Sequence, residues 1–262
     1  MSDLTASAIT ADLPGWRAQR PRCGLVVAGL TKRFGELRVL DAVSLTVAPG
    51  EIVAVVGPSG CGKTTLLDIL AGVTPADAGL LTWDGVSVPH LRGRVAYMQQ
   101  KDLLLPWRSA LDNALLAAQV RSRLLEARKM APAIFLRLGL AGFERARPAE
   151  LSGGMRQRVA LARTILGGGE LWLLDEPFSS VDALTRRELY ELFRATWQGQ
   201  PTLMVTHDVN DARRLADRVI VLGHRPARVL AELPAAAATE ERVVELLKGG
   251  REALDARIPP RP

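Results

Sequence analysis

The chain has 262 residues, of which 48% are hydrophobic and 24% are charged, and its net charge at pH 7 is +6. This composition is ordinary for a folded globular protein, and no apolar run approaches the roughly 20 residues that cross a bilayer. The first 24 residues lack the pattern of a secretory signal, so a cytoplasmic protein is expected. The basic surplus is spread along the chain, which fits a nucleotide, an anionic membrane surface, nucleic acid or an unspecialised solvated surface.

The order of apolar runs predicts an α/β chain with a helical insertion. After a polar tail, β-branched runs at residues 25–28, 39–47 and 52–56 predict strands, and the third leads through a glycine-rich loop into a helix that ends at Gly72. Apolar residues recur at helical spacing from residue 103 to 150, which predicts a small inserted helical lobe. Three prolines break this pattern: Pro106, Pro132 and Pro148. Two further strands follow, and a linker with a short helix at residues 240–248 ends the chain.

The glycine-rich loop matches the phosphate-binding pattern G-x-x-x-x-G-K-[ST]. Glycines let backbone N–H groups face the phosphates, the lysine reaches the β and γ oxygens, and the hydroxyl residue binds Mg²⁺. A turn without a ligand is the alternative, which the preceding strand and the following helix disfavour. The residues of the loop are Gly57, Pro58, Ser59, Gly60, Cys61, Gly62, Lys63, Thr64 and Thr65. Cys61 and the other cysteine, Cys23, lack the spacing of metal ligands and are expected to be free thiols.

Polar side chains end two of the other strands, where α/β sheets place their ligands. Asp175 would hold Mg²⁺ through water, and Glu176 would polarise the attacking water. His207 would hydrogen-bond a γ-phosphate and hold that carboxylate in line. Taken singly, a strand that ends in carboxylates or a lone histidine is often only solvated or packed, but the phosphate loop in the same chain favours the catalytic interpretation.

Three further candidates have simpler alternatives. Gln100, after the strand at residues 95–98, would touch Mg²⁺ or water, although loop glutamines are mostly solvated. Phe34 would stack on adenine, although packing also explains one aromatic residue. In the stretch LSGGMRQR, Ser152 is a good helix N-cap and the N–H groups of Gly153 and Gly154 make an anion site, although a cap without a ligand explains this segment alone.

Together and in this order, these motifs resemble the nucleotide-binding subunit of an ABC transporter over roughly residues 25–230. The resemblance implies a P-loop NTPase sheet core of α/β class with an antiparallel β part and an inserted helical subdomain. The implied division is an N-terminal tail at residues 1–24, a nucleotide-binding domain at 25–232 and a C-terminal linker and helix at 233–262. The helical subdomain occupies about 101–150 plus the signature helix that follows Ser152.

The resemblance also implies a role for each matching residue in binding ATP and Mg²⁺. Two domains would pair head to tail, so that Ser152, Gly153 and Gly154 of one chain cap the γ-phosphate held by Lys63 of the other. Phe34 takes the adenine-stacking position and Asp182 the D-loop position. Catalysis falls to Glu176, His207, Lys63 and Gln100, and metal binding to Thr64, Gln100 and Asp175. Three departures from commoner residues, none of which removes a catalytic group, are Met155, Ser180 with Val181, and Gln99.

The run LLLPWR together with LSGGMRQR is similar to the nitrate, sulfonate and taurine importer branch, which includes relatives for the thiamine-precursor pyrimidine, and YMQQKDLLLPWRS leans toward these. We therefore expect an importer ATPase on the cytoplasmic face of the cell membrane, acting as a homodimer. It would dock through residues 100–108 and the helical lobe on integral-membrane permease subunits, indirectly serve a substrate-binding protein, and bind no nucleic acid. A soluble ABC ATPase of DNA repair or translation is the alternative, and a non-hydrolysing regulatory module is a second.

Overall fold

The computed structural model describes residues 24–179 and 183–255. These residues divide into two compact units. The sheet unit comprises residues 24–100, 169–179 and 199–255, and the helical unit comprises residues 101–168 and 183–198. Cys23 lies outside the described residues, and the predicted boundaries at residues 24 and 232 stay a prediction. Among the described residues, no helix combines the length and apolar character that spanning a membrane requires.

The described part of the sheet unit is built from ten strands in two sheets. In chain order the strands are β1 Leu25–Phe34, β2 Leu37–Val47, β3 Ile52–Val56, β4 Ala78–Trp83, β5 Val86–Val88, β6 Val95–Met98, β7 Leu171–Asp175, β8 Thr202–Thr206, β9 Arg218–Leu222 and β10 Val229–Pro234. The first sheet is antiparallel, with the order β2-β1-β4-β5. The second has the order β10-β9-β3-β8-β7-β6 and is parallel except for β10. The predicted α/β fold with an antiparallel part is confirmed.

Seven α-helices among the described residues complete the two units. They are α1 Lys63–Ala71, α2 Ala110–Val120, α3 Leu124–Arg137, α4 Gly153–Gly167, α5 Ala183–Thr196, α6 Val209–Leu215 and α7 Glu240–Asp255. Helices α1, α6 and α7 belong to the sheet unit and the other four to the helical unit. The helix predicted after the phosphate loop is confirmed, because α1 follows β3 and ends at Gly72 in the left-handed conformation.

Three central strands of the second sheet are buried along their whole length: β3, β7 and β8. Such continuous apolar runs are typical of parallel strands covered on both faces. The main core of the sheet unit combines side chains of both sheets with α1, including Leu25, Val53, Val55, Leu66 and Leu70. Burying one such side chain fully stabilises the fold by about 1.5–3 kcal/mol. The phosphate loop that leaves β3 is therefore anchored at both ends in a packed core.

Two predicted helix boundaries are wrong. Pro132 does not break the helical lobe but lies within α3, whose buried face includes Ala131 and Ile134. Proline removes one intrahelical hydrogen bond, and the packing of this face offsets that loss. The C-terminal helix, predicted to end at residue 248, continues to Asp255 through the pair Gly249 and Gly250. Gly250 packs against Leu230 of β10, where only a residue without a side chain fits without displacing its neighbour.

Candidate functional site

The strand order brings three chemistry-bearing segments to one edge of the second sheet. In this sheet β3 lies beside β8, and β8 lies beside β7, all running parallel. Their carboxyl ends therefore meet at the same edge, which is where open α/β sheets bind ligands. The phosphate loop follows β3, Glu176 follows β7, and His207 follows β8.

The phosphate loop is shaped by glycines and closed by its own lysine. The Lys63 Nζ donates to the carbonyl oxygens of Gly57 at 2.8 Å and Pro58 at 3.0 Å, so the ammonium lies over the loop. Gly62 has φ 125°, and a Cβ there would lie 2.8 Å from Cγ1 of Val39, so only glycine fits this position. The resulting turn leaves backbone N–H groups at the start of α1, where the helix dipole favours an anion.

Cys61 lies inside this loop as a free, buried thiol, as predicted. Burial raises the pKa of the Cys61 thiol, and the charges of Lys63 and Arg225 oppose that rise. The thiol therefore stays neutral at physiological pH and packs as a small apolar side chain.

Asp175 ends β7 with its carboxyl group buried beside the phosphate loop. The Thr64 hydroxyl hydrogen-bonds to this carboxylate, and burial raises the Asp175 pKa to about 6, with the charge of Glu176 adding to the shift. Among the described residues, Oδ2 of Asp175 has no hydrogen-bond partner. Leaving a buried acceptor unpaired costs free energy. A divalent cation bound to this oxygen would remove that cost.

Mg²⁺ fits these residues. It is usually held by one or two carboxylates together with waters and phosphate oxygens, and seldom by a cage made only of protein. One buried carboxylate, Asp175, and one hydroxyl, Thr64, match this requirement. Within residues 24–179 and 183–255, no three His, Cys, Asp or Glu side chains form a cluster that could hold a metal ion. A cation at Asp175 would therefore take its other ligands from water and from phosphate oxygens.

Glu176 and His207 form a direct pair. The Nδ1 of His207 lies 2.8 Å from Oε2 of Glu176, and the Thr206 hydroxyl lies 3.5 Å from the same oxygen. The Glu176 backbone has φ 51°, a left-handed conformation that is uncommon for a residue with a side chain, and its N–H donates to the carbonyl oxygen of Val205 at 2.9 Å. The side chain is buried at the carboxyl end of β7 and lines the cavity there, and its role in orienting water stays a prediction.

A cavity of about 500 Å³ joins these groups. Its lining includes most of the phosphate loop together with Phe34, Gln100, Asp175 and Glu176. The Phe34 ring is half exposed, and Nζ of Lys32 lies 5.2 Å from its centroid. The structure thus brings together, in the sheet unit, the predicted adenine-stacking residue, the phosphate loop and the predicted metal and catalytic residues.

The sequence analysis missed Arg225, which also lines this cavity. It lies in the loop between β9 and β10, Gly223–Arg228, which has no glycine-rich or carboxylate pattern and no periodicity. A single exposed arginine in a loop carries no signal that separates it from the other basic residues of the chain.

The helical unit contains the stretch LSGGMRQR at residues 151–158, the signature segment of the family that the sequence resembles. Ser152 is the N-cap of α4, and its Oγ accepts a hydrogen bond from the Met155 N–H at 3.2 Å, which confirms the predicted cap. Gly153 and Gly154 form the first turn of this helix. Asp182, predicted to contact nucleotide, lies outside the described residues, as do Ser180 and Val181.

The segment at residues 102–108 is fixed within the helical unit by hydrogen bonds and one ion pair. Asn113 accepts from the Leu105 N–H at 2.7 Å and donates to three carbonyl oxygens of the segment and its flank, at 3.0–3.2 Å. From α4, Arg156 pairs with Asp102 at 3.0 Å, and Arg163 donates to the carbonyl oxygens of Asp102 and Leu103. The signature helix therefore holds the loop that contains LLLPWR.

Comparison with known proteins identifies the family. A statistical description of the ABC transporter family matches residues 40–179, more than half of the chain. This chain belongs to the ABC transporter family. It is an ATP-binding subunit and an ATPase.

Individual ABC proteins are similar over most of the chain. The aliphatic sulfonates import ATP-binding protein SsuB of Cupriavidus necator is 45% identical, over 78% of this chain and 69% of that protein. The taurine import ATP-binding protein TauB of Yersinia pestis is 40% identical, over 80% of this chain and 83% of that protein. Among solved structures, the dimeric ATP-binding cassette MJ0796 in a post-hydrolysis state with ADP and Pi superposes with a TM-score of 0.72 and 28% identity, over 81% of this chain and 99% of that one.

Proposed function

We propose that this ABC subunit pairs with a second ATP-binding subunit around two ATP molecules and powers uptake of a small sulfonate through separate membrane subunits. The observation that carries the proposal is the meeting of the phosphate loop, Asp175 and the Glu176–His207 pair at one sheet edge. The cargo class is supported by two relatives, which are import ATP-binding proteins for aliphatic sulfonates and for taurine. The pyrimidine-type cargo stays a prediction from the sequence.

In this proposal the cavity binds both ends of the ATP molecule, the adenine and the phosphates. The Phe34 ring stacks on the adenine, and the N–H groups of the phosphate loop and the start of α1 hold the phosphates. The Lys63 ammonium, which now bonds two loop carbonyls, turns to the β and γ oxygens. Thr64, Asp175 and Gln100 would hold Mg²⁺, and the bound ion would neutralise charge on the phosphates.

Hydrolysis then requires a water molecule placed in line with the γ-phosphate. Glu176 accepts a hydrogen bond from this water, because its carboxylate is buried, fixed and directed to the edge of the sheet. His207 donates from Nδ1 to Oε2 of Glu176 and so holds the carboxylate in the orientation that receives the water. Little covalent chemistry is needed, because phosphoryl transfer depends mainly on positioning and on charge stabilisation.

The partners follow from two surfaces of the helical unit. Ser152, Gly153 and Gly154 present the N-terminus of α4, which would cap the γ-phosphate bound by a second, identical subunit. Leu103 and Trp107 are 50% and 70% exposed in the fixed LLLPWR loop, and aromatic residues are enriched in protein interfaces relative to the rest of the surface. We assign this surface to docking on integral-membrane permease subunits, which would place the ATPase on the cytoplasmic face of the membrane and link it indirectly to a substrate-binding protein. The names of the relatives do not favour a role in DNA repair or translation.

The test is purification from membranes of the wild type and of Glu176→Gln, followed by mass spectrometry and ATPase assays. We expect a multi-span permease to co-purify with both proteins, and Glu176→Gln to bind ATP but hydrolyse it at least about 100-fold more slowly. Deletion of the gene should abolish uptake of labelled taurine or ethanesulfonate. Ribosomal or DNA-repair proteins in place of a permease would refute transport while leaving the ATPase intact.

A further inference from the structure

We propose that Arg225 binds the phosphate chain of the nucleotide, as a second cation beside Lys63. This inference rests on the proposed function, because it assigns a further ligand to the same cavity. None of the sequence motifs of the site includes Arg225. Its role follows from the path of the β9–β10 loop, Gly223–Arg228, over the phosphate loop.

Two glycines of the phosphate loop show how closely this neighbouring segment approaches. A Cβ at Gly57 would lie 2.6 Å from the carbonyl oxygen of Leu222, at the end of β9. A Cβ at Gly60 would lie 3.3 Å from a terminal guanidinium nitrogen of Arg225. Gly60 is in the turn whose backbone surrounds the phosphates, so the charged end of Arg225 lies beside the place where a phosphate chain binds.

The β9–β10 loop is fixed in this position by backbone contacts to β2. The Asp41 N–H donates to the Ala227 carbonyl oxygen at 3.0 Å, and the Ala227 N–H donates to the Val39 carbonyl oxygen at 2.8 Å. The base of the loop is closed by the Gly223 N–H, which donates to the Arg228 carbonyl oxygen at 3.0 Å. A side chain on a loop held by backbone hydrogen bonds is pre-organised, so less conformational entropy is lost when it binds a ligand.

The charge of Arg225 is available to a ligand. Asp41, the carboxylate nearest along β2, pairs with two other arginines of the region, Arg38 and Arg228. Among the described residues, no carboxylate forms an ion pair with Arg225, and its side chain is exposed on the wall of the cavity. Of the described residues that line this cavity, the two with a positive charge are Lys63 and Arg225.

The chemistry of the guanidinium selects the phosphates over the base. Arginine offers a planar fork of N–H donors that matches two phosphate oxygens at once, and charge-assisted bonds of this kind are about twice as strong as neutral ones. Phe34 supplies the aromatic face that a base requires, elsewhere on the same wall. Arg225 should therefore bind ATP and ADP through their phosphates and contribute little to the recognition of adenine.

The experiment is displacement of a fluorescent ATP analogue by ATP, by ADP and by inorganic tripolyphosphate. We expect Arg225→Ala to weaken all three competitors by about the same factor, on the order of tenfold, and Arg225→Lys to recover part of the loss. Phe34→Ala should weaken ATP and ADP but leave tripolyphosphate unchanged. Arg242→Ala, which removes an exposed arginine that pairs with Glu245 on α7, controls for net charge and should bind as the wild type does.

The tripolyphosphate result decides the question. Equal tripolyphosphate binding by Arg225→Ala and the wild type would overturn the assignment, as would a loss confined to ATP and ADP, which would place Arg225 at the nucleoside. Unchanged thermal unfolding of Arg225→Ala shows that a loss of affinity is local. Lys63→Ala separates this inference from the function beneath it: retention of ATP binding by that variant would refute the proposed site itself.

Discussion

Asp175 and Glu176 are consecutive residues, and each is held in an unfavourable state. The Asp175 carboxyl group is buried with one unpartnered oxygen among the described residues, and Glu176 adopts a left-handed backbone conformation at φ 51°. Such features cost about 1–3 kcal/mol each and persist where the surrounding structure compels them. Both residues lie at the carboxyl end of β7, so the cost falls where the proposed chemistry needs a metal ligand and a fixed base.

The first prediction is that Asp175→Asn stabilises the protein measured without nucleotide while abolishing its activity. Burial raises the folded-state pKa of Asp175 to about 6 from 3.8, so the folded state binds the proton more tightly than the unfolded state does. Wild-type stability should therefore fall as pH rises from about 4 to 6, and the penalty persists above pH 6. Asparagine avoids this penalty and should gain about 1 kcal/mol in free energy of unfolding at pH 8, with ATPase activity reduced at least about 100-fold.

Urea unfolding of both proteins at pH 5 and pH 8 measures this effect. The gain should be larger at pH 8, because more of the wild-type carboxyl group is ionised there. A variant less stable than the wild type at pH 8 would show that the carboxylate contributes to the fold, contrary to this account.

The second prediction concerns the positioning of Glu176 by His207. His207→Ala removes the partner that lies 2.8 Å from Oε2, so we expect kcat to fall about 100-fold while the Kd for ATP stays within about threefold. His224→Ala, in the neighbouring β9–β10 loop, provides a matched histidine control and should keep wild-type kcat. Steady-state ATPase assays and equilibrium nucleotide binding separate the two parameters; a loss confined to binding would contradict a role in positioning water.

At the scale of one element, α7 shows how a single neighbour decides the effect of a glycine. The helix runs from Glu240 to Asp255 through Gly249 and Gly250. Gly249 has open space around its missing side chain, whereas a Cβ at Gly250 would lie 2.6 Å from Cδ1 of Leu230. Glycine lowers helix stability at both positions, but only Gly250 allows the helix to approach β10.

The third prediction is therefore a matched pair of alanine substitutions. Gly249→Ala should stabilise the protein by about 0.5–1 kcal/mol, because alanine is the better helix former. Gly250→Ala should give no gain, or a loss of up to about 1 kcal/mol, because Leu230 must move. Chemical denaturation of the two variants beside the wild type measures the difference, and equal stabilisation by both would mean that α7 does not pack on β10 as described.

For the molecule as a whole, the sequence predicts best what consecutive residues encode. The helix after the glycine-rich loop, the N-cap Ser152 and the fold class are predicted correctly because a turn, a cap and a burial pattern are local. The sequence does not predict the distances between the site residues, because the order β9-β3-β8-β7 brings together strand ends that are remote in the chain. Arg225 was missed for the same reason, since only the contact of its loop with β2 directs it to the cavity. Pro132 was misjudged because packing in α3 outweighs a local propensity.

The last prediction follows from pairing two identical subunits head to tail, so that each site takes its phosphate loop from one chain and its signature helix from the other. Lys63→Ala breaks the first part and Gly153→Asp places a negative charge at the second, so each protein alone should be inactive. In an equal mixture, about half the dimers are mixed, and each contains one site with both parts intact. The mixture should therefore recover up to about a quarter of wild-type ATPase activity. A chain carrying both substitutions, mixed with an inactive single variant, should recover none. If the site were complete within one chain, no mixture of the single variants would regain activity.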